Sequence, residues 1–405
     1  MRHKNQPVVR FVCFVIGFGP MKIKGPKSIP YGRHSISRSD FKLMKKVLNS
    51  DWLTIGPKVE LFEAEISKVI HAENFVVTSG TAALHCAYAA IDIKPGDEII
   101  TPALTFVATQ STAMHFGAKI VFCDIDVKTR NIDPSLAEKL ITEKTKAITV
   151  VDYAGHPVDL EVFRKICDKH GIYLIEDAAH SIGSLYKGRP VGSQADLTVF
   201  SFFPTKNFTT GEGGAVSSNN RVLLDKARKF GRQGLVRDPE RFLQKPDGPW
   251  HQEVHKIGLN YRLPDILCAL GISQISRLNQ FKTKRMKIVE FYRNNLKDVE
   301  GLVLPEQADY ADPVWHLYPI RVKNNLRNQL FTFLRGKNVF VQVNYVPAYY
   351  HPIFTELNYP RGLCPKTEEF YDEEISLPIH PNLSKKNLKT VVKLIKEFFE
   401  NVSSV

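Results

Sequence analysis

The 405-residue sequence contains no CxxC pair, and its six cysteines, at 13, 86, 123, 167, 268 and 364, lie far apart. That spacing excludes a zinc knuckle and a dense disulfide framework, so no metal is expected and a reducing cytoplasm fits. No Walker lysine follows a glycine-rich loop, and no GxGxxG opens a helix after a strand. Nucleotide hydrolysis and a Rossmann dinucleotide site are therefore not supported. Repeats, low-complexity tracts and long basic runs are also lacking, which argues against a nucleic-acid partner. The apolar run over 11–18, FVCFVIGF, is too short to span a bilayer and precedes no small-x-small cleavage site. Residues 1–30 are accordingly expected to be an extension outside the fold, with Met21 as the functional start and no membrane partner.

What remains is the composition of a globular protein, 43% hydrophobic and 24% charged, long enough for two domains. Lysine plus arginine (55) outnumber aspartate plus glutamate (42), for a net charge of +13. A small anionic ligand suits that balance. From residue 74 short apolar runs alternate with helical patterns, the signature of βαβ units around a mainly parallel sheet. Strands are expected over 75–77, 98–100, 119–123, 147–151, 172–175 and 197–202. Helices are expected after Ser79-Gly80-Thr81, near 106–116, and over 160–169 with Gly171 as its stop. Beyond Pro264 the pattern changes to one long helix over 266–296, strands near 316–322 and 339–343, and a terminal helix over 386–399. The expected division is a large α/β domain over 31–265 and a small C-terminal α/β domain over 266–405, with 238–248 as an exposed loop.

Three stretches carry chemistry. In TSGTAAL, Ser79, Gly80 and Thr81 stand at a helix N-terminus, where hydroxyls and backbone N–H groups offer themselves to a phosphate. Plain helix capping explains the same residues equally well. In IYLIEDAAHSIG, an apolar strand delivers Asp177 to its carboxyl end, where ligands of open α/β sheets sit. A carboxylate there needs a partner, and a protonated pyridine nitrogen is one. His180 could reach the same ring, although a satisfied core histidine fits this segment somewhat better. In SFFPTKNFTTGEGGAV, Lys206 follows an apolar strand and precedes glycines that allow a tight turn. A lysine in a low-dielectric cleft loses its proton more easily and can anchor a carbonyl cofactor covalently, then shuttle protons. Phosphate cradle, strand-end aspartate and lysine together fit pyridoxal 5'-phosphate.

The segments TSGTAALH, TPALTFVAT, EDAAHSIG, SFFPTKNFTTGEGGAV and GLNYRLPDILCALGISQI, in that order, resemble the pyridoxal-phosphate sugar aminotransferases of the DegT/StrS family. The likeness runs from Tyr31 to the terminal helix. It implies a fold-type-I transferase: a large domain with a mainly parallel sheet of the seven-stranded kind and a small C-terminal domain. It places Lys206 at the cofactor's covalent anchor, Asp177 at the pyridine nitrogen, Phe106 on the ring and His180 near the ring hydroxyl. Gly80, Thr81 and Ser201 fall at the phosphate, and Asn260 resembles a residue lent to the neighbour's phosphate across a homodimer with shared sites. Within the family, VLNSDWLTIG, VVDYAGHPVD, HLYPIRV, VQVNYVP and FYDEEISLPIHPNL look most like the transaminases of pseudaminic acid biosynthesis. That likeness implies a UDP-linked 4-keto-6-deoxy-N-acetylhexosamine substrate with L-glutamate as amino donor. It places Tyr31, Asp51, Trp52, Leu53, Thr54, Asn260, His316, Leu317, Tyr318 and Pro319 around the nucleotide-sugar. Alternatives are another nucleotide-linked keto sugar, of the perosamine, bacillosamine or TDP-3-keto type, or a catalytically silent cofactor-binding regulator. Lys206 and Asp177, both intact, weigh against the regulator.

Overall fold

The structure, a computed structural model, describes residues 28–403. The expected extension over 1–30 lies almost wholly outside the described residues. Seven strands form the central sheet: β1 (Glu73–Val77), β2 (Glu98–Pro102), β3 (Lys119–Cys123), β4 (Thr145–Val151), β5 (Tyr173–Asp177), β6 (Leu197–Ser201) and β7 (Gly214–Ser218). Their order is β1-β7-β6-β5-β4-β2-β3, parallel throughout except β7, which runs against both its neighbours. β2, β6 and β7 are buried along their whole length. Helices cover both faces, which is why these strands read as continuous apolar runs rather than alternating ones.

On one face lie α1 (Arg38–Leu48), whose buried Asp40 pairs with Arg277, and α2 (Pro57–Ile70). The other carries α3 (Gly80–Ala90), whose buried alanines sit directly on the sheet, and the short α4 (Ala108–Met114). α5 (Leu160–His170) ends as expected at Gly171, whose φ of 65° needs a left-handed conformation. α6 (Arg221–Gly231) completes the layer over α3.

The long helix expected over 266–296 is two: α7 (Asp265–Ile275) and α8 (Leu278–Leu296), broken at Ser276 and Arg277. Arg277 leaves helical geometry there, and its guanidinium is drawn to Asp40 at 2.7 Å. Leu278 and Phe281 still belong to the core beneath α2, whereas Ile288, Val289 and Tyr292 belong to a second core. That second core surrounds an antiparallel sheet of β8 (Leu302–Val303), β9 (Tyr318–Val322) and β10 (Glu374–Leu377). α9 (Arg327–Gly336) and α10 (Lys385–Ser403) close it.

The strand expected over 339–343 does not form. Val339 and Gln342 make only isolated bridges, to Ile29 and Ser376. The next backbone donor, Asn344 N–H, is taken by the side chain of Glu374 at 2.7 Å, so no ladder continues. The stretch 238–248 is the exposed loop expected, with one 3-10 turn. No helix among the described residues is long and apolar enough to cross a membrane.

Candidate active site

The carboxyl ends of β4, β5 and β6 and the start of α3 converge on a cavity of about 470 Å³. At its floor Ser79 caps α3, its hydroxyl accepting from Ala82 N–H at 3.0 Å. Gly80 follows because nothing larger fits: a Cβ there would stand 2.8 Å from that of Ser201. Gly214 is equally constrained, since its Cβ would meet Ser79 O at 2.5 Å. The glycine run thus lets β7 pass under the helix start while Gly80, Thr81 and Ser201 face the cavity. A helix N-terminus ringed by hydroxyls is a site for an anion.

Asp177 ends β5 and is buried. Its Oδ2 accepts from Thr109 Oγ1 at 2.8 Å and its Oδ1 from Ala179 N–H at 3.1 Å. Burial pushes its carboxyl above the usual range, opposed by those two bonds and by Lys206. Behind it, buried Asp152 is pushed up to about 7 and Glu176 well up, chiefly by desolvation. The position across from Asp177 therefore suits a cation held inside the protein.

Lys206 sits in the turn after β6, half-buried, its N–H donating to Phe203 O at 2.9 Å. The turn is pinned by Phe202 stacked on Phe208 at 4.7 Å and by Asn207, whose amide donates to His180 O and Ile182 O. Burial pulls the Lys206 ammonium down to about 8, against the opposing pull of Asp177. His180 shares Nε2 with the Tyr345 hydroxyl at 3.1 Å, while its buried Nδ1 lacks a partner. Burial, then Lys206, keeps this imidazole well below its ordinary value and so neutral. His316 lies 4.4 Å away ring to ring and is held neutral in the same way, with its own Nδ1 unpartnered. Phe106 lines the cavity 58% exposed, its ring tilted against that of Tyr345 at 6.1 Å.

The cavity brings together Tyr31, Gly80, Thr81, Phe106, Asp177, His180, Ser201, Lys206, His316 and Leu317. Other expected residues lie elsewhere. Asp51, Trp52, Leu53 and Thr54 form an exposed loop ahead of α2, and Asn260 is exposed on the surface. Tyr318 and Pro319 begin β9 and are buried, with Tyr318 against Tyr292 and Trp315 in the second core. The strand starts at Tyr318, so the HLYP stretch leaves the cavity wall after Leu317. Residue motifs had not singled out Thr109, Asn344 or Tyr345. For Thr109 the TFVAT segment held the signal, a hydroxyl one helical turn after Thr105, to which it bonds at 2.9 Å.

These groups fit pyridoxal phosphate. Anion donors at the α3 start, a strand-end carboxylate, an unpartnered buried imidazole nitrogen and an amine shifted toward neutrality line one cavity of matching size. Residues 34–396 match the model of the DegT/DnrJ/EryC1/StrS aminotransferase family. The chain is 36% identical over 380 residues to a UDP-4-amino-4,6-dideoxy-N-acetyl-beta-L-altrosamine transaminase of Campylobacter jejuni, covering 92% of this chain and 98% of the relative. Among solved structures it is similar to Helicobacter pylori PseC, an aminotransferase involved in pseudaminic acid biosynthesis, with TM-score 0.87, 33% identity, and 93% and 100% of the two chains covered. A Streptococcus pneumoniae chain described as a sugar aminotransferase in its PMP form aligns with TM-score 0.87 and 29% identity over 92% of this chain and all of its own. With a lysine and an aspartate lining one cavity at the sheet's carboxyl edge, and a family match spanning nearly its full length, the chain belongs to the DegT/DnrJ/EryC1/StrS family, as a PLP-dependent sugar aminotransferase of fold type I.

Proposed function

We propose that this enzyme transfers the amino group of L-glutamate to C4 of a UDP-linked 4-keto-6-deoxy-N-acetylhexosamine, as in pseudaminic acid formation. One observation carries the reading: near-complete coverage of the C. jejuni UDP-4-amino-4,6-dideoxy-N-acetyl-beta-L-altrosamine transaminase, joined to a cavity in which Lys206 and Asp177 both stand. Bound pyridoxal phosphate supplies an electron sink, and the protein supplies position and protons. Of the residues lining the cavity, Gly80, Thr81 and Ser201 would hold its phosphate, Phe106 would cover its ring and His180 would meet its hydroxyl. Asp177 would keep the ring nitrogen charged, and Lys206 would anchor the cofactor between turnovers. Its Nζ then takes a proton from the α-carbon of glutamate and, in the second half-reaction, delivers one to C4 of the sugar. Burial, which pulls this amine down to about 8, favours the neutral form that a base requires.

Tyr31, His316 and Leu317 form the sugar side of the same cavity. The exposed Asp51–Thr54 loop and Asn260 serve a homodimer, in which each site draws on two chains. A cytoplasmic enzyme divided into domains near residue 265 completes this reading. Incubation with glutamate and a panel of UDP- and TDP-linked 3- and 4-keto sugars, read by mass spectrometry, tests it. An amino sugar from the UDP-4-keto-6-deoxy-N-acetylhexosamine supports the proposal; turnover confined to another member of the panel overturns it. Borohydride should fix the cofactor on Lys206, and a label on any other lysine would refute that anchor.

A further inference from the structure

Asn344 is the most heavily engaged residue of the cavity wall. Its backbone N–H donates to Glu374 Oε2 at 2.7 Å, and its carbonyl accepts the Tyr153 hydroxyl. Its side-chain Nδ2 donates twice, to Tyr31 Oη at 2.7 Å and to Ser376 Oγ at 3.0 Å. Ser376 Oγ in turn donates to Glu374 Oε1 at 2.5 Å, so its oxygen is left to accept. Both amide hydrogens are therefore committed, and a flip would set Oδ1 against the Ser376 oxygen, whose hydrogen is already used, and lose that bond. The remaining atom, Oδ1, makes no hydrogen bond to a described residue and is not among the fully buried unpartnered atoms. The residue lines the cavity and keeps 7% of its surface exposed. That exposure leaves Oδ1 as a fixed acceptor facing the substrate space.

We infer that Asn344 is a specificity-determining residue whose Oδ1 takes a hydrogen bond from an O–H or N–H donor on the sugar ring. This inference rests on the nucleotide-sugar reading above. An acceptor locked in place discriminates strongly, because a ligand without the donor buries it unpaired. Tyr31 lines the same wall and holds the amide through its oxygen, which accepts from Nδ2. A ring carrying a hydroxyl or an acetamido N–H supplies the donor that Oδ1 lacks.

The test is a cycle of ligand and enzyme changes on the holoenzyme, read by titration calorimetry. The probes are UDP-N-acetylglucosamine, its 3-deoxy analogue and its N-methylacetamido analogue. Wild type should bind one of the two analogues about tenfold more weakly than the parent, and the identity of that analogue names the donor. In Asn344→Leu the discrimination should collapse to near unity, an outcome that a merely structural role would not produce. Ser376→Ala, which releases one anchor from outside the cavity, should lower it part-way and serves if the leucine variant does not fold. Equal binding of all three probes by wild type, or unchanged discrimination in both variants, overturns the inference. If wild type binds none of the probes, the nucleotide-sugar reading itself fails, and the assignment with it.

Discussion

A buried carboxyl with no ion-pair partner makes a fold sensitive to pH, and Glu374 is such a group. Among the described residues it makes no ion pair, only bonds from Asn344 and Ser376. Desolvation pushes it up to about 8 from an ordinary 4.5. Between those values the folded protein holds a proton that the unfolded chain releases, so stability is full below about pH 4.5 and falls as pH rises through 8. The slope from one such group reaches about 1.4 kcal/mol per pH unit. Glu374→Gln should remove this contribution, and thermal unfolding at pH 5, 6.5 and 8 should be flatter than in wild type. Parallel curves would show that Glu374 is already ionised in the fold. Asp152, pushed up to about 7, acts in the same direction, so some slope survives the substitution. Asp177 is constrained differently, since in the proposed mechanism its partner is a cation supplied from outside the chain. Asp177→Asn keeps a shape that Thr109 can still hold and removes the charge partner. Losing one side of a buried pair costs about 3 kcal/mol, which is about a hundredfold in turnover. Steady-state rates within a fewfold of wild type would make the carboxylate structural.

At the scale of elements, the decisive contact is the approach of α3 to the end of β6. Gly80→Ala forces a methyl to within 2.8 Å of Ser201 Cβ, and the helix start must lift from the strand. Overpacking of this kind costs about 1–3 kcal/mol, and here it falls on the anion site. Cofactor affinity, followed by absorbance titration, should weaken at least about tenfold; unchanged affinity would separate the helix start from phosphate binding. The legibility of this site in the sequence has the same cause. Lys206, Asp177 and Gly80 each stand where a strand ends or a helix begins, and those punctuation points are local patterns. Asn344 was not legible, because its partner Tyr31 is 313 residues away. β7 was not expected: only the glycines just before it were read, as a tight turn, and its sequence GAVSS holds a single branched apolar residue, so pairing with β1 and β6 on either side is what makes it a strand. The stretch 339–343 failed in the opposite sense: its alternation reflects packing of Val339 and Val341 into the second core without a ladder partner.

At the scale of the whole molecule, the surface leading to Asn260 is unusually apolar. Ile257 is 93% exposed and Trp250 77%. The homodimer with shared sites proposed above would cover both. Chains carrying Lys206→Ala, co-expressed with chains carrying Asn260→Ala, then form hybrids in which one site bears both lesions and the other bears none. Activity should reappear in the mixture although each parent is weak or inactive. Absence of rescue, with hybrids confirmed by mass, would return both residues to one chain's site. Within each chain the cavity wall has two origins. Its cofactor side comes from the ends of the large sheet, whereas Leu317, Tyr31 and Tyr345 meet Leu104, Tyr153 and Phe370 in a small cluster of their own. The two walls touch where His316 and Tyr345 meet His180, so a change at Tyr31 or Asn344 would reshape the sugar wall at a distance from Lys206 and Asp177, whereas a change at His316 would reach the cofactor wall as well.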